Sequence, residues 1–142
     1  MLRRMTSTGA LTSARRSSMT ITIPGRKAPE RGDVFWADLD PVRGTEQAGR
    51  RPVVVLSDDR LHSVSLRSLV CPITTNQQAW PTKIIIPADC VVSGAILIDQ
   101  ARMIDRDQRL LRFIGRLPNE VVALAVEALT MFLSQSQAPF AR

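Results

Sequence analysis

Cysteine, histidine and tyrosine are the scarce residues of this 142-residue chain, at two, one and none. Cys71 and Cys90 lie far apart, with no further Cys or His at ligand spacing. That pattern argues against a disulfide framework and a zinc site, and it fits a reducing cytoplasm. A lone histidine, His62, leaves little room for catalytic triads or multi-histidine metal sites built within one chain. Any catalysis must then run on Arg, Glu, Asp, Thr or Ser, with no metal and no cofactor. No apolar run approaches the roughly 18 residues of a membrane-spanning helix, so a membrane protein is not expected. Aromatic residues make up only 4% of the chain, fewer than a passive RNA-binding barrel with exposed stacking rings would need.

Acidic residues are also scarce in one place. Residues 1–31 carry seven basic side chains and one acidic one, Glu30, whereas the remainder holds twelve of each sign. The net charge of +6 is therefore the property of the N-terminal segment and not a nucleic-acid footprint spread over a fold. That segment is rich in Arg, Ser and Thr and lacks the apolar core of a secretory signal. Three readings stay open for it: a disordered basic arm, an organellar transit peptide, or upstream sequence counted in by starting at Met1 when translation begins at Met19. The expected organisation is an extension over residues 1–30, one domain over 31–134 and a loose tail over 135–142.

What is present between these ends is a series of short apolar and β-branched runs bounded by Pro, Gly, Asp or Asn. Strands are expected at Asp33–Leu39, Pro52–Ser57, Ser68–Thr75, Thr82–Pro87, Gly94–Ile98, Ala101–Asp105 and Arg112–Leu117, the second buried on both faces. From Asn119 the period changes to that of a helix running to about Ser134, with Pro118 suited to its first turn. Its apolar face is wider than one sheet would cover, and part of it is expected to bury a second subunit. Many short strands and one helix make the fold mainly β, a barrel or sandwich.

The loop between the first two strands holds Thr45, Glu46, Gln47, Arg50 and Arg51, the last held at the entrance of a buried strand by Pro52. Cleavage of RNA by its own 2′-hydroxyl needs a base, cationic donors for the phosphorane and a proton for the leaving oxygen. Glu, Arg and a hydroxyl residue supply these without metal. Taken by themselves, Glu46 and Arg51 read first as a solvated loop pair and only second as this machinery. Thr74 and Thr75 close a strand, where Thr is often just a strand former. Trp36 reads as core, and Trp80 as either a base-stacking residue or a barrel cover. Asp99, Gln100 and Arg102 fall at a tight connection, to read nucleotide edges or to fix the turn. His62 reads as a surface histidine, and Cys71 as a small core side chain.

In order, RGDVFWADLDP (31–41), RGTEQAGRRPVVVLS (43–57), PITT (72–75), WPTKIII (80–86), DQARMID (99–105) and IGRLP (114–118) resemble the MazF/PemK family of toxin endoribonucleases. The resemblance implies an SH3-like, partly open β-barrel with a C-terminal helix. It implies a cytoplasmic homodimer that cuts single-stranded RNA without metal, leaving a 2′,3′-cyclic phosphate and a 5′-hydroxyl. By position Arg51 matches the catalytic arginine, Thr74 the active-site threonine and Glu46 the assisting acid. Thr45, Gln47, Arg50, Thr75, Trp80, Asp99, Gln100 and Arg102 are the RNA-binding candidates. Thr45 stands where serine is usual, and Leu97 is apolar where some members carry a basic residue. The implied partner is an antitoxin whose flexible acidic segment lies along the RNA groove. The alternative is a toxin of the same barrel class that binds a protein such as DNA gyrase, as CcdB does, and performs no chemistry. Such a protein would not require Glu46, Arg51 and Thr74 together.

Overall fold

The computed structural model describes residues 27–40, 44 and 49–134. In chain order these form β1 (Asp33–Asp38), β2 (Arg50–Val55), α1 (Asp59–His62), β3 (Arg67–Thr74), β4 (Lys83–Ile85), β5 (Ala95–Leu97), a 3-10 turn (Ile98–Gln100), β6 (Arg102–Asp105), α2 (Arg106–Arg109), β7 (Leu110–Arg116) and α3 (Asn119–Leu133). Each expected strand forms, its ends displaced by one or two residues. The expected extension up to residue 26, the tail over 135–142, and Thr45, Glu46 and Gln47 lie outside the described residues.

The pairing is antiparallel throughout, in the order β4-β5-β3-β2-β1-β7 with β6 also on β3. Strand β3 is where the sheet divides. Its first half pairs with β6 from Arg67 to Val70, its middle with β2 from Val70 to Pro72, and its end with β5 at Ile73 and Thr74. Among the described residues the two ends of the order, β4 and β7, do not pair, so the barrel is partly open.

Two apolar clusters fill the two faces. One combines Val34, Val54, Cys71, Ile73 and Ile96 with Val121, Val122 and Ala125 of α3. The other holds Ala37, Leu39, Val53, Val55, Val70, Ile104 and Leu110. Consecutive Val53, Val54 and Val55 are wholly buried because the strand faces a cluster on each side. Helix α3 starts at Asn119, where the period changes, with Pro118 at the cap position and not in the first turn; the Pro118 carbonyl accepts from the N–H groups of Val121 and Val122. Beyond its buried stripe, Leu124, Met131, Phe132 and Leu133 stay exposed, in keeping with an apolar face wider than this sheet covers.

Three expectations need correction. His62 is not on the surface: it is 4% exposed, with Nδ1 2.9 Å from the Pro29 carbonyl and Nε2 2.8 Å from Ser57 Oγ and 3.0 Å from Ser68 Oγ. A carbonyl only accepts, so Nδ1 carries the proton and the single lone pair of Nε2 faces the two hydroxyls as an acceptor for one of them. Burial, the first of its causes, holds this ring below the ordinary histidine value. Trp36 is not core either. It is half-buried between Pro52 and Arg112 across the sheet, and neither cluster includes it. The one-turn helices α1 and α2 were not expected. Each is nucleated by an aspartate cap, Asp58 accepting from the Arg60 N–H and Asp105 from those of Asp107 and Gln108.

Candidate functional site

Strand β2 opens next to the residues expected to carry chemistry. Its register against β1 sets Arg50 opposite Asp38, Arg51 opposite Ala37 and Pro52 opposite Trp36. The root of the 41–48 loop is closed twice: the Leu39 N–H donates to Gly49 O at 3.0 Å, and the Gly49 N–H donates to Asp40 Oδ1 at 2.9 Å. Gly49 adopts φ +73°, a left-handed conformation that costs glycine little and other residues more. Two arginines grip the same root from behind. Arg102 Nη1 donates to Leu39 O at 3.3 Å, and Arg109 Nη1 donates to the carbonyls of Asp38 and Asp40. Arg102, expected on RNA, has a backbone partner in Leu39, at the root of the segment that holds Glu46.

The alternation of side chains brings three of the expected residues to one face. Val53 and Val55 belong to the second cluster, and Arg51 shares their parity on β2. Thr74 shares the parity of Val70 on β3, and Arg102 that of Ile104 on β6. The β2–β3 pairing ends at Val53 and Pro72, and Arg51 and Thr74 each stand two residues beyond that last pair, where β3 turns to β5. Arg51 is half-buried, Arg50 is exposed and of opposite parity, and Thr75 is exposed just beyond the strand.

Thr74 is held from both sides. Its Oγ1 accepts the Asn76 N–H at 3.2 Å. Just before β5, Gly94 (φ +127°) lies so close that a Cβ there would stand 2.0 Å from the Thr74 carbonyl oxygen, which only glycine permits. Beside Thr74 opens a groove of about 360 Å³ that also gathers Trp80, Asp99 and Gln100. Trp80 is 64% exposed. The remaining wall is Asn76, Gln78, Ala79, Thr82, Lys83 and Leu97, of which only Leu97 had been singled out in the sequence. The polar run NQQ and the lysine in TKIII were the signal for the rest. Lys83 Nζ donates to the carbonyls of Asn76 and Gln78 at 3.2 Å each and so pins the 75–82 loop. Beneath this wall, burial pushes the Cys71 thiol up to about 12, with Asp99 adding to the effect, so Cys71 is a core side chain and not a nucleophile at neutral pH. Among the described residues no three His, Cys, Asp or Glu side chains group as metal ligands would, and no helix is long and apolar enough to cross a membrane.

Comparison with known proteins agrees with this geometry. Over 110 residues the chain is 39% identical to endoribonuclease EndoA of Bacillus subtilis (strain 168), covering 74% of this chain and 94% of that one. It is 37% identical over 79 residues to the endoribonuclease toxin MazF of Escherichia coli (strain K12), covering 56% and 70%. The crystal structure of MazF (Form-I) from Deinococcus radiodurans superposes with a TM-score of 0.70 at 31% identity, over 76% of this chain and 98% of that one. A MazE–MazF structure (Form-II) from the same organism gives 0.66 at 28%, over 78% and 100%. Residues 30–133 match the family described as PemK-like, MazF-like toxin of type II toxin-antitoxin system, and the chain belongs to that family.

Proposed function

We propose that this protein is an endoribonuclease toxin that cuts single-stranded RNA at short sequences, with no metal and no cofactor. The observation that supports the reading is that Arg51 and Thr74 each stand two residues beyond the last β2–β3 pair with the parity of one buried cluster, Thr74 in the wall of a groove that carries an exposed indole. In the proposed reaction the 2′-oxygen attacks the adjacent phosphorus and gives up its proton to Glu46. The bond from phosphorus to the 5′-oxygen breaks, and that oxygen leaves protonated. The products are a 2′,3′-cyclic phosphate and a 5′-hydroxyl, so water enters no bond. Arg51 donates to the phosphorane oxygens and delivers the leaving-group proton, and Thr74 adds a neutral hydrogen bond. Relatives named endoribonucleases, one of them 39% identical, support the class of reaction.

The same reading makes the active unit a homodimer, for which the exposed Leu124, Met131, Phe132 and Leu133 of α3 supply apolar surface. It makes the partner an antitoxin with an acidic flexible segment, supported by the MazE–MazF complex whose MazF resembles this chain. It places the protein in the cytoplasm, with its substrate, and assigns the basic extension over residues 1–30 no part in the chemistry. The decisive experiment incubates the purified protein with a long RNA in EDTA and identifies the new ends. Cyclic phosphate and 5′-hydroxyl ends are expected. Intact RNA, with capture of DNA gyrase, would favour the non-enzymatic alternative. A substrate bearing 2′-deoxyribose at the scissile nucleotide should bind and stay whole; its cleavage would overturn attack by the 2′-oxygen.

A further inference from the structure

We propose that the groove beside Thr74 is a pocket for one guanine base of the RNA, stacked on Trp80 and read by the Asp99 carboxylate. The inference rests on the ribonuclease reading and names what that site selects. The groove, about 360 Å³, has room for a purine ring, and the indole of Trp80 offers it a stacking surface.

The charges in the wall decide which part of a nucleotide enters. Lys83, the single cation among the lining residues, has its ammonium engaged by the carbonyls of Asn76 and Gln78. Asp99 is exposed, and the described residues give it no hydrogen bond or ion pair. A pocket with an unspent carboxylate and an occupied lysine repels phosphate and attracts a group rich in donors. One hydroxyl completes the wall: Thr82 Oγ1 is buried with no hydrogen-bond partner, whereas the proton of Thr74 Oγ1, which accepts from Asn76, belongs to the phosphorane in the proposed reaction.

Among the four bases only guanine presents two adjacent donors, N1–H and the N2 amine, to match the two oxygens of a carboxylate, with O6 beside them as an acceptor for a hydroxyl. Cytosine and adenine set a ring acceptor next to their amine, and uracil flanks its single N–H with two carbonyls. Each would point a lone pair at Asp99.

The test uses the full chain and uncleavable 2′-O-methyl pentanucleotides, with binding read by quenching of tryptophan emission and Trp80→Phe identifying the signal from the pocket. At one position guanine should bind about tenfold to a hundredfold more tightly than adenine, cytosine or uracil, and inosine, which lacks the N2 amine, should lose most of that advantage. Asp99→Asn, which replaces one acceptor by a donor, should erase the preference while melting normally. Absence of a guanine preference at every position, or its survival in Asp99→Asn, overturns the proposal. Cleavage of ribose RNA is measured alongside: a chain that selects guanine but leaves RNA intact refutes the ribonuclease reading and leaves the pocket standing.

Discussion

Arg51 on β2 and Thr74 on β3 each stand two residues beyond Val53 and Pro72, the last pair of those strands, and share the parity of the buried Val53 and Val70. The strands fix where both side chains begin, and in the proposed reaction that preorganisation is what stabilising a developing phosphorane requires.

Arg51→Ala should therefore lose more than a hundredfold in single-turnover cleavage, and more than Thr74→Ala or Glu46→Ala, because it removes both an oxyanion donor and an acid. Arg51→Lys should recover only part of the loss, since an ammonium lacks the planar fork that suits phosphate. Thermal melting is expected to be nearly unchanged. A folded Arg51→Ala within about tenfold of the parent would show that another residue carries the reaction.

The loop bearing Glu46 should respond to its root. Asp40→Ala removes the acceptor of the Gly49 N–H and should cost about 0.5–1.5 kcal/mol or less of stability, the bond being exposed. Cleavage should fall further, about tenfold to a hundredfold, because misplacing a reacting group is penalised more steeply than losing one surface bond. Asp40→Asn keeps the oxygen and should behave almost as the parent. Equal rates for Asp40→Ala and the parent would mean that the loop needs no closure.

Gly94→Ala tests how Thr74 is placed. The positive φ alone should cost about 1–3 kcal/mol, and the added methyl collides with the Thr74 carbonyl. A lower melting temperature is expected, with cleavage by the remaining folded protein reduced as well. Gly44, at φ +60° with nothing within 4 Å of an added Cβ, is the control for backbone conformation without collision.

Stability should depend on pH through His62. Its folded value is depressed below the ordinary 6.5, so the unfolded chain binds the proton more readily. The stabilisation is complete above that unfolded value and is lost as pH falls through the folded one. Melting temperatures should thus drop on acidification below about 6.5. His62→Asn, which offers a donor toward Pro29 without a titrating ring, should flatten that part of the profile; a slope unchanged in the variant would assign it elsewhere.

Strands and helix α3 were legible because turn residues punctuate each apolar run and the period changes cleanly at Asn119. Helices α1 and α2 were not, since a single turn leaves no periodicity and only the aspartate caps Asp58 and Asp105 announce it. His62 misled for a related reason. Its neighbours in sequence are polar, while the groups that bury it, Pro29 and Ser68, come from other elements. The site followed the same rule. Thr74, Trp80, Asp99 and Gln100 could be named individually, but the tether of Lys83 to the 75–82 loop and the collision that Gly94 avoids exist only across strands. Arg102 shows the converse: a basic residue in a promising stretch has a backbone carbonyl as its partner.

Two anchors beside this site are independent: Asp40, Arg102 and Arg109 hold residues 38–40 and 49, and Lys83 holds the 75–82 loop. If the proposed reaction and the proposed base pocket hold, cutting and choosing where to cut are separable inheritances. Replacing residues at the tip of the 75–82 loop would give a toxin with a new vocabulary of target messages and an unchanged blade, so that closely similar chains in one cell could silence different sets of transcripts.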